Sequence, residues 1–213
     1  MLFIISGMFM IIAFSGKMGS GKTLGASLLM SMLSENDRFK PKLKSFAKPI
    51  YEVAAIILGK EVNYLNNNKN LKTKYGITIR EILQIIGDDL RFKVHENIWI
   101  DALFQEGYTK DQIWIIDDLR YQNEAHYLMD NHDAMLVRVH RYGEKKDASI
   151  LNEIKKHDDY VENHKSETDL DRFRGWTTEI HNISDVESYV NRVRDKVYSK
   201  LMAEMNPTTL KSE

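Results

Sequence analysis

The chain has 213 residues, a formal net charge of −1, 29% charged and 43% apolar residues, and no cysteine. That length suits a single domain with one substantial core, and the apolar share is too high for a disordered chain. Near-neutrality excludes the overall basic field of a non-specific nucleic-acid binder, so no stable nucleic-acid partner is expected. The lack of cysteine excludes disulfides, thiolate catalysis and thiolate zinc sites, and fits a cytoplasmic setting.

Met1 to Phe14 is almost wholly apolar. It has neither the basic start and small-residue cleavage site of a signal peptide nor the roughly 20 apolar residues of a spanning helix, so no membrane association is expected. Ile11-Ile12-Ala13-Phe14 reads as a buried strand feeding a turn at Gly16, whereas Met1 to Phe9 has no assigned role.

The turn is Gly16-Lys17-Met18-Gly19-Ser20-Gly21-Lys22-Thr23, the pattern of glycine, four free positions, glycine, lysine and Ser or Thr. Glycines at 16, 19 and 21 allow close backbone approach, so that successive N–H groups, with those of Lys17 and Ser20, can converge on phosphate oxygens. Ala26 to Leu33 reads as the helix whose N-terminus faces the same phosphates. Lys22 can reach the β- and γ-phosphates of a nucleoside triphosphate, and the Thr23 hydroxyl can ligate Mg²⁺.

Lys42 to Phe46 reads as a second, weaker strand, Pro49 to Leu58 as a helix, and the Asn- and Lys-rich stretch Asn63 to Lys74 as a surface excursion. Thr78-Ile79-Arg80-Glu81 has the form of a capping box opening a further helix. On it Ile79, Ile82, Leu83, Ile86 and Leu90 form a core face, while Arg80, Gln84, Gly87 and Arg91 form a second stripe. Its two guanidinium groups are about 16 Å apart along the axis. Either could hold a phosphate, Gln84 could pair with a base, and Gly87 would leave room for a ring. A solvated flank of Arg–Glu pairs is the alternative.

Ile113 to Ile116 is another buried strand, ending in Asp117-Asp118. Asp118 is the natural metal-side carboxylate, with Asp117 as the alternative because a strand end is uncertain by a residue or two. Ala134 to His140 supplies a fourth strand and Thr178 to His181 a shorter fifth. Strands alternating with helices imply parallel βαβ units in a three-layer α/β sandwich. The charged stretch Tyr142 to Arg174 reads as an exposed helical flap, and the tail after Met205 as frayed.

Five segments together resemble the phage deoxynucleoside monophosphate kinases, a P-loop kinase family. They are Phe14 to Thr23, Phe46-Ala47-Lys48-Pro49, Thr78 to Arg91 with Trp99, Asp118-Leu119-Arg120-Tyr121-Gln122-Asn123-Glu124, and His164-Lys165-Ser166-Glu167. The resemblance implies a P-loop kinase sandwich on a five-stranded parallel sheet, with a helical insertion for the monophosphate and a lid. As one domain over 1–213, its core would cover about 10–48, 110–141 and 175–205, its insertion about 49–109 and its lid about 142–174. It implies ATP- and Mg²⁺-dependent phosphorylation of a deoxynucleoside 5′-monophosphate, and leaves a homodimer open. By position, Lys22 and Thr23 would bind triphosphate and metal, with Asp118 on the metal side. Arg80, Gln84 and Arg91 would face the monophosphate. Asp118 and Arg120 would stand at the catalytic end of their strand, and Arg141 would serve the lid or the donor nucleotide.

Two departures stand out. Lys48 stands where the family has an acidic residue, and no arginine lies between Arg141 and Arg172, which leaves the lid cation open, with Lys145 and Lys146 as candidates and a solvated lysine pair as the alternative. His164, Ser166 and Glu167 are assigned no chemistry beyond capping or a hinge. Competing readings are a kinase for another small acceptor, such as dephospho-coenzyme A, and a nucleotide-dependent ATPase switch.

Overall fold

The computed structural model describes residues 10–107, 109, 112–142, 164–183 and 185–205. The apolar start at 1–9, the part of the flap with Lys145 and Lys146, and the tail after Met205 lie outside them. In chain order, the strands are β1 (Met10–Ser15), β2 (Lys40–Lys44), β3 (Gln112–Leu119), β4 (Met135–Tyr142) and β5 (Thr178–Ile183). They form one five-stranded parallel sheet ordered β2-β3-β1-β4-β5. The strand expected at Lys42 to Phe46 starts and ends two residues earlier.

β1 is central, and its residues Ile11 to Phe14 are fully buried, as an unbroken apolar run with β-strands on both sides requires. β2 is an edge strand of sequence Lys-Pro-Lys-Leu-Lys, whose charges and proline discourage pairing with another chain.

The helices are α1 (Lys22–Ser34), α2 (Ala47–Leu58), α3 (Val62–Asn67), α4 (Ile79–Lys93), α5 (Ile98–Phe104), α6 (Gln122–His132), α7 (Lys165–Thr168), α8 (Val186–Val193) and α9 (Ser199–Met205). On one sheet face, Ile12, Phe14, Ile113, Ile115, Val137, Val139 and Ile180 pack with Ala26, Leu29 and Leu33 of α1 and with Tyr189, Val193, Val197 and Leu201. Burying each large aliphatic side chain there contributes about 1.5–3 kcal/mol. The last four recur every four residues, and in an ideal α-helix each step would rotate the stripe by about 40°. The wider π-turn Arg194–Tyr198 joining α8 to α9 takes back part of that drift. α6 carries buried Ala125 and Leu128, which lie outside this cluster.

Lys44–Tyr108 is a compact unit of its own, distinct from the unit formed by the rest of the chain. Its core is Ala54, Leu65, Ile79, Ile82, Ile86 and Trp99, drawn from α2 to α5. Leu65 explains why Val62–Asn67 is helical where the sequence suggests a surface excursion: it is fully buried in that core. At the start of α4, the Thr78 hydroxyl accepts from the Glu81 N–H at 3.2 Å, and the Glu81 carboxylate accepts from the Thr78 N–H at 2.7 Å. This is the reciprocal capping box read from the sequence. No helix among the described residues is long and apolar enough to cross a membrane.

Candidate active site

β1 delivers the chain to Gly16, where a Cβ would lie 2.3 Å from Ser20 Oγ and 2.6 Å from the Val139 carbonyl oxygen. Only glycine fits that approach. Gly21 has φ +96°, which L side chains rarely adopt, and a Cβ there would meet Asn182 Nδ2 at 2.4 Å. Gly21 is also the N-cap of α1, so no side chain caps that helix and its N-terminus opens onto the loop. Ser20 is buried, and its Oγ has no hydrogen-bond partner among the described residues. Arg141 donates to the Gly19 carbonyl at 3.0 Å, so it braces the loop itself. Lys17, Met18, Ser20, Arg138, His140 and Arg141 line a cleft of about 240 Å³ beside it.

Five charged side chains converge behind the loop. Lys22 is buried and donates to the Lys17 carbonyl at 3.4 Å. Burial, with Arg120 next, lowers the pKa of its ammonium, while Glu167, Asp118 and Asp117 oppose that shift. Both aspartates of β3 reach this field because the strand is irregular there. Ala13 is level with Ile116 and Ser15 with Leu119, so β3 carries an extra residue over Asp117-Asp118. Up to that point Ile113 and Ile115 face α1, and alternation puts Asp117 on the same face. Asp117 hydrogen-bonds the Thr23 hydroxyl, and burial, with the Asp118 charge beside it, pushes its carboxyl up to about 6.

Arg120 and Glu167 complete the cluster through direct bonds. One Glu167 carboxylate oxygen pairs with the Arg120 guanidinium, and the other accepts the Met18 N–H at 2.8 Å. An internal carboxylate thus occupies a loop amide in the way an anionic phosphate oxygen would. Burial works against the Arg120 charge, but Glu167, Asp118 and Glu124 outweigh it and raise its pKa. Lys17 Nζ bonds the Glu167 carbonyl at 2.5 Å and Asp171 Oδ2 at 2.6 Å. Asp171 also pairs with Arg138, which donates to Ser15 Oγ at 3.0 Å. α7 and the turn after it are therefore fastened to the loop.

The Glu167 side chain is almost fully enclosed, at 7% exposure, against 32% for Arg120. Truncation as Glu167→Ala removes the direct partner of a partly buried cation, and is expected to cost about 2 kcal/mol, below the range for fully buried pairs because Arg120 keeps some solvent and the charges of Asp118 and Glu124. Urea unfolding measures this; a loss no larger than the roughly 0.5 kcal/mol of a surface pair would contradict it.

Glu124, 1% exposed, accepts from the Arg120 N–H at 3.0 Å and the Tyr121 N–H at 3.1 Å. The last acid of the Asp-Leu-Arg-Tyr-Gln-Asn-Glu run thus shapes the turn that presents Arg120.

Within the unit Lys44–Tyr108, Arg80, Gln84, Gly87 and Arg91 lie along α4 at the expected helical spacing. Arg80 Nε and Nη2 both bond Asn70 Oδ1 at 3.4 Å, and Arg91 Nη1 bonds the Glu96 carbonyl at 3.4 Å. The two Arg80 contacts are long and share one neutral acceptor. Gly87 offers less space than the sequence suggests. A Cβ there would be 3.3 Å from Ile50 Cδ1, and the Gly87 carbonyl accepts the Trp99 indole N–H at 2.8 Å. The lysine that replaces an acid, Lys48, pairs with Glu106, which Lys44 also engages. Hydrogen bonds from Lys44 first and Lys48 second hold Glu106 below the usual carboxylate range.

Glu167, Asn182 and Tyr189 are site residues that sequence reasoning misses. Glu167 sits in a noticed segment, but its role depends on a contact 149 residues away. Asn182 and Tyr189 touch the loop from β5 and α8 and belong to no recognised pattern.

No family model matches the chain. It is 27% identical over 188 residues to the deoxynucleoside-5′-monophosphate kinase of Escherichia phage T5, a match covering 59% of this chain and 74% of that protein. It is 24% identical over 207 residues to a protein of Acanthamoeba polyphaga mimivirus provisionally named a deoxynucleotide monophosphate kinase, covering 86% and 93%. TT1252 from Thermus thermophilus shares the fold at a TM-score of 0.50 and 14% identity, over 93% of this chain and 99% of that one. The chain is thus distantly similar in sequence to phage and viral deoxynucleoside monophosphate kinases.

Proposed function

We propose that the chain transfers the γ-phosphoryl group of ATP to the phosphate of a deoxynucleoside 5′-monophosphate, giving ADP and a deoxynucleoside diphosphate. The observation that carries this reading is the convergence of Lys22 and Arg120 with an Asp117–Thr23 pair on a glycine loop already engaged by an internal carboxylate. Phosphoryl transfer needs positioning and charge stabilisation rather than a nucleophilic side chain, and these are the groups that supply both.

Thr23 and Asp117 suit Mg²⁺, which takes one or two carboxylates or hydroxyls, keeps several waters and completes its shell with substrate phosphates. When bound, that ion neutralises charge on the triphosphate oxygens. Lys22 and Arg120 add positive charge at the same place, with Arg141 bonded to the loop beside them. Because Glu167 holds Arg120, that guanidinium is oriented before a phosphate arrives, and a phosphate oxygen that takes the Met18 N–H displaces the Glu167 carboxylate from it. The distant relatives support the deoxynucleoside monophosphate as acceptor.

We assign the monophosphate to Arg80, Gln84 and Arg91 of α4. The long bonds of Arg80 to a neutral oxygen are readily exchanged for charge-assisted bonds to a phosphate, and Arg91 lies on the same stripe of α4. Arg80→Ala and Arg91→Ala are each expected to raise the acceptor KM about 10- to 100-fold, with ATP affinity changed less than about threefold. Steady-state kinetics with each substrate varied in turn check this. Equal losses for both substrates would remove α4 from acceptor binding, and ATP turnover indifferent to any deoxynucleoside monophosphate would defeat the function itself.

A further inference from the structure

Two side chains outside the loop hold its backbone from behind. Asn182, on β5, donates from Nδ2 to the Ser20 carbonyl at 3.0 Å. The Tyr189 hydroxyl, on α8, donates to the Gly21 carbonyl, also at 3.0 Å. These are adjacent peptide units. In a trans peptide the C=O of one residue and the N–H of the next point in opposite directions. A carbonyl tied outward therefore turns the following amide inward. The Ser20 bond sets the Gly21 N–H, and the Gly21 bond, made alongside that from the Gly25 N–H of α1 at 2.9 Å, reinforces the direction of the Lys22 N–H.

The glycines record how closely these donors approach. A Cβ on Gly21 would fall 2.4 Å from Asn182 Nδ2, and one on Gly25 would fall 2.5 Å from the Tyr189 hydroxyl. Gly25 lies inside α1, where glycine costs about 1 kcal/mol relative to alanine, and it is not part of the loop pattern. The tyrosine hydroxyl accounts for it. Tyr189 is fully buried, and burial pushes its phenol above the ordinary value, so it keeps its proton as a donor.

We infer that Asn182 and Tyr189 are positioning residues for triphosphate binding, which fix the Gly21 and Lys22 amides toward the phosphates by anchoring the two preceding carbonyls. This rests on the reading of the loop as a triphosphate cradle. Without Asn182 the Ser20–Gly21 peptide plane loses its tie, and without Tyr189 the Gly21 carbonyl keeps only the Gly25 N–H of α1 at 2.9 Å, so both amides are less firmly directed before the ligand arrives. Neither side chain needs to touch the nucleotide.

Tyr189→Phe and Asn182→Ala test this separately in the full chain. Calorimetric titration with ATP should show each dissociation constant raised about 10-fold, the equivalent of one lost hydrogen bond of about 1.4 kcal/mol. The ¹⁵N amide resonances of Gly21 and Lys22 should shift in the ligand-free variants, and the acceptor KM should stay within about twofold. An ATP affinity within twofold of the parent in both folded variants overturns the inference. So does a loss that appears only with loss of cooperative unfolding, or one that raises both KM values equally, because either marks a structural role. A parent protein that binds no ATP defeats the cradle reading first, and is seen before any variant is made.

Discussion

Lys22→Ala is expected to reduce turnover by on the order of 10³-fold or more while the protein remains folded, because it removes the buried cation nearest the loop without removing a stabilising interaction. Lys22 is 8% exposed, and its hydrogen bond to the Lys17 carbonyl is long at 3.4 Å. Burial, reinforced by Arg120, lowers its pKa from the ordinary 10.5. A lysine whose pKa falls on folding is disfavoured in its charged form, so at neutral pH its charge costs stability, and this cost disappears only above the unfolded value. Removing the ammonium should leave the melting temperature unchanged or higher. The protein tolerates that cost in its folded state because the charge serves a ligand. Thermal unfolding alongside ATP turnover checks both halves. An active Lys22→Ala protein would remove the residue from the mechanism, and an unfolded one would show that the ammonium holds the loop together.

Asp117→Asn is expected to reduce kcat/KM about 100-fold or more and to abolish one step in the pH profile. Burial, and next the Asp118 charge, raise the Asp117 carboxyl from 3.8 to about 6, against the opposing Thr23 hydrogen bond. Its folded pKa lies above its unfolded one, so its contribution to stability is fully present below pH 3.8 and is lost as pH rises through 6. For a carboxyl still partly reached by solvent, that loss is on the order of 2 kcal/mol. The isosteric amide stays neutral and should be more stable than the parent above pH 6, with no such pH dependence. A metal ligand must be ionised, so parent activity should fall as pH drops below about 6. Asp118→Asn should cost less, since Asp117 is the carboxylate bonded to Thr23. Urea unfolding from pH 4 to 8 and pH–rate profiles of both variants measure this. A larger loss in Asp118→Asn, or an unchanged acid limb in Asp117→Asn, would return the metal-side role to Asp118.

The contrast between these aspartates shows where sequence reasoning ends. The glycine loop, the apolar run of β1 and the Thr78 capping box are local patterns, with sequence separations of a few residues, and can be read directly. The choice between Asp117 and Asp118 depends on the register of β3 against β1, where the slip between Ala13 and Ser15 adds a residue just before Leu119. Nothing in Ile-Asp-Asp-Leu marks that slip. The bonds from Glu167, Asn182 and Tyr189 to the loop span 149, 162 and 168 residues. They exist only because the sheet order places β4 beside β1 and β5 beside β4. Gly25 is hidden for a related reason, since the helix read from the sequence starts at Ala26, and only the structure places Gly25 inside α1 against the Tyr189 hydroxyl. α3 shows the opposite error. Its Asn-rich composition masks Leu65, and one fully buried side chain outweighs the turn propensity around it.

The most direct test of the central claim follows the transferred phosphorus. The full chain is incubated with γ-³²P-labelled ATP, Mg²⁺ and each deoxynucleoside 5′-monophosphate, and the products are separated by ion-exchange chromatography. The account predicts that label moves from ATP into a deoxynucleoside diphosphate, in step with ADP formation and only when acceptor is present. Label released as inorganic phosphate at a rate that added monophosphate does not change would contradict it.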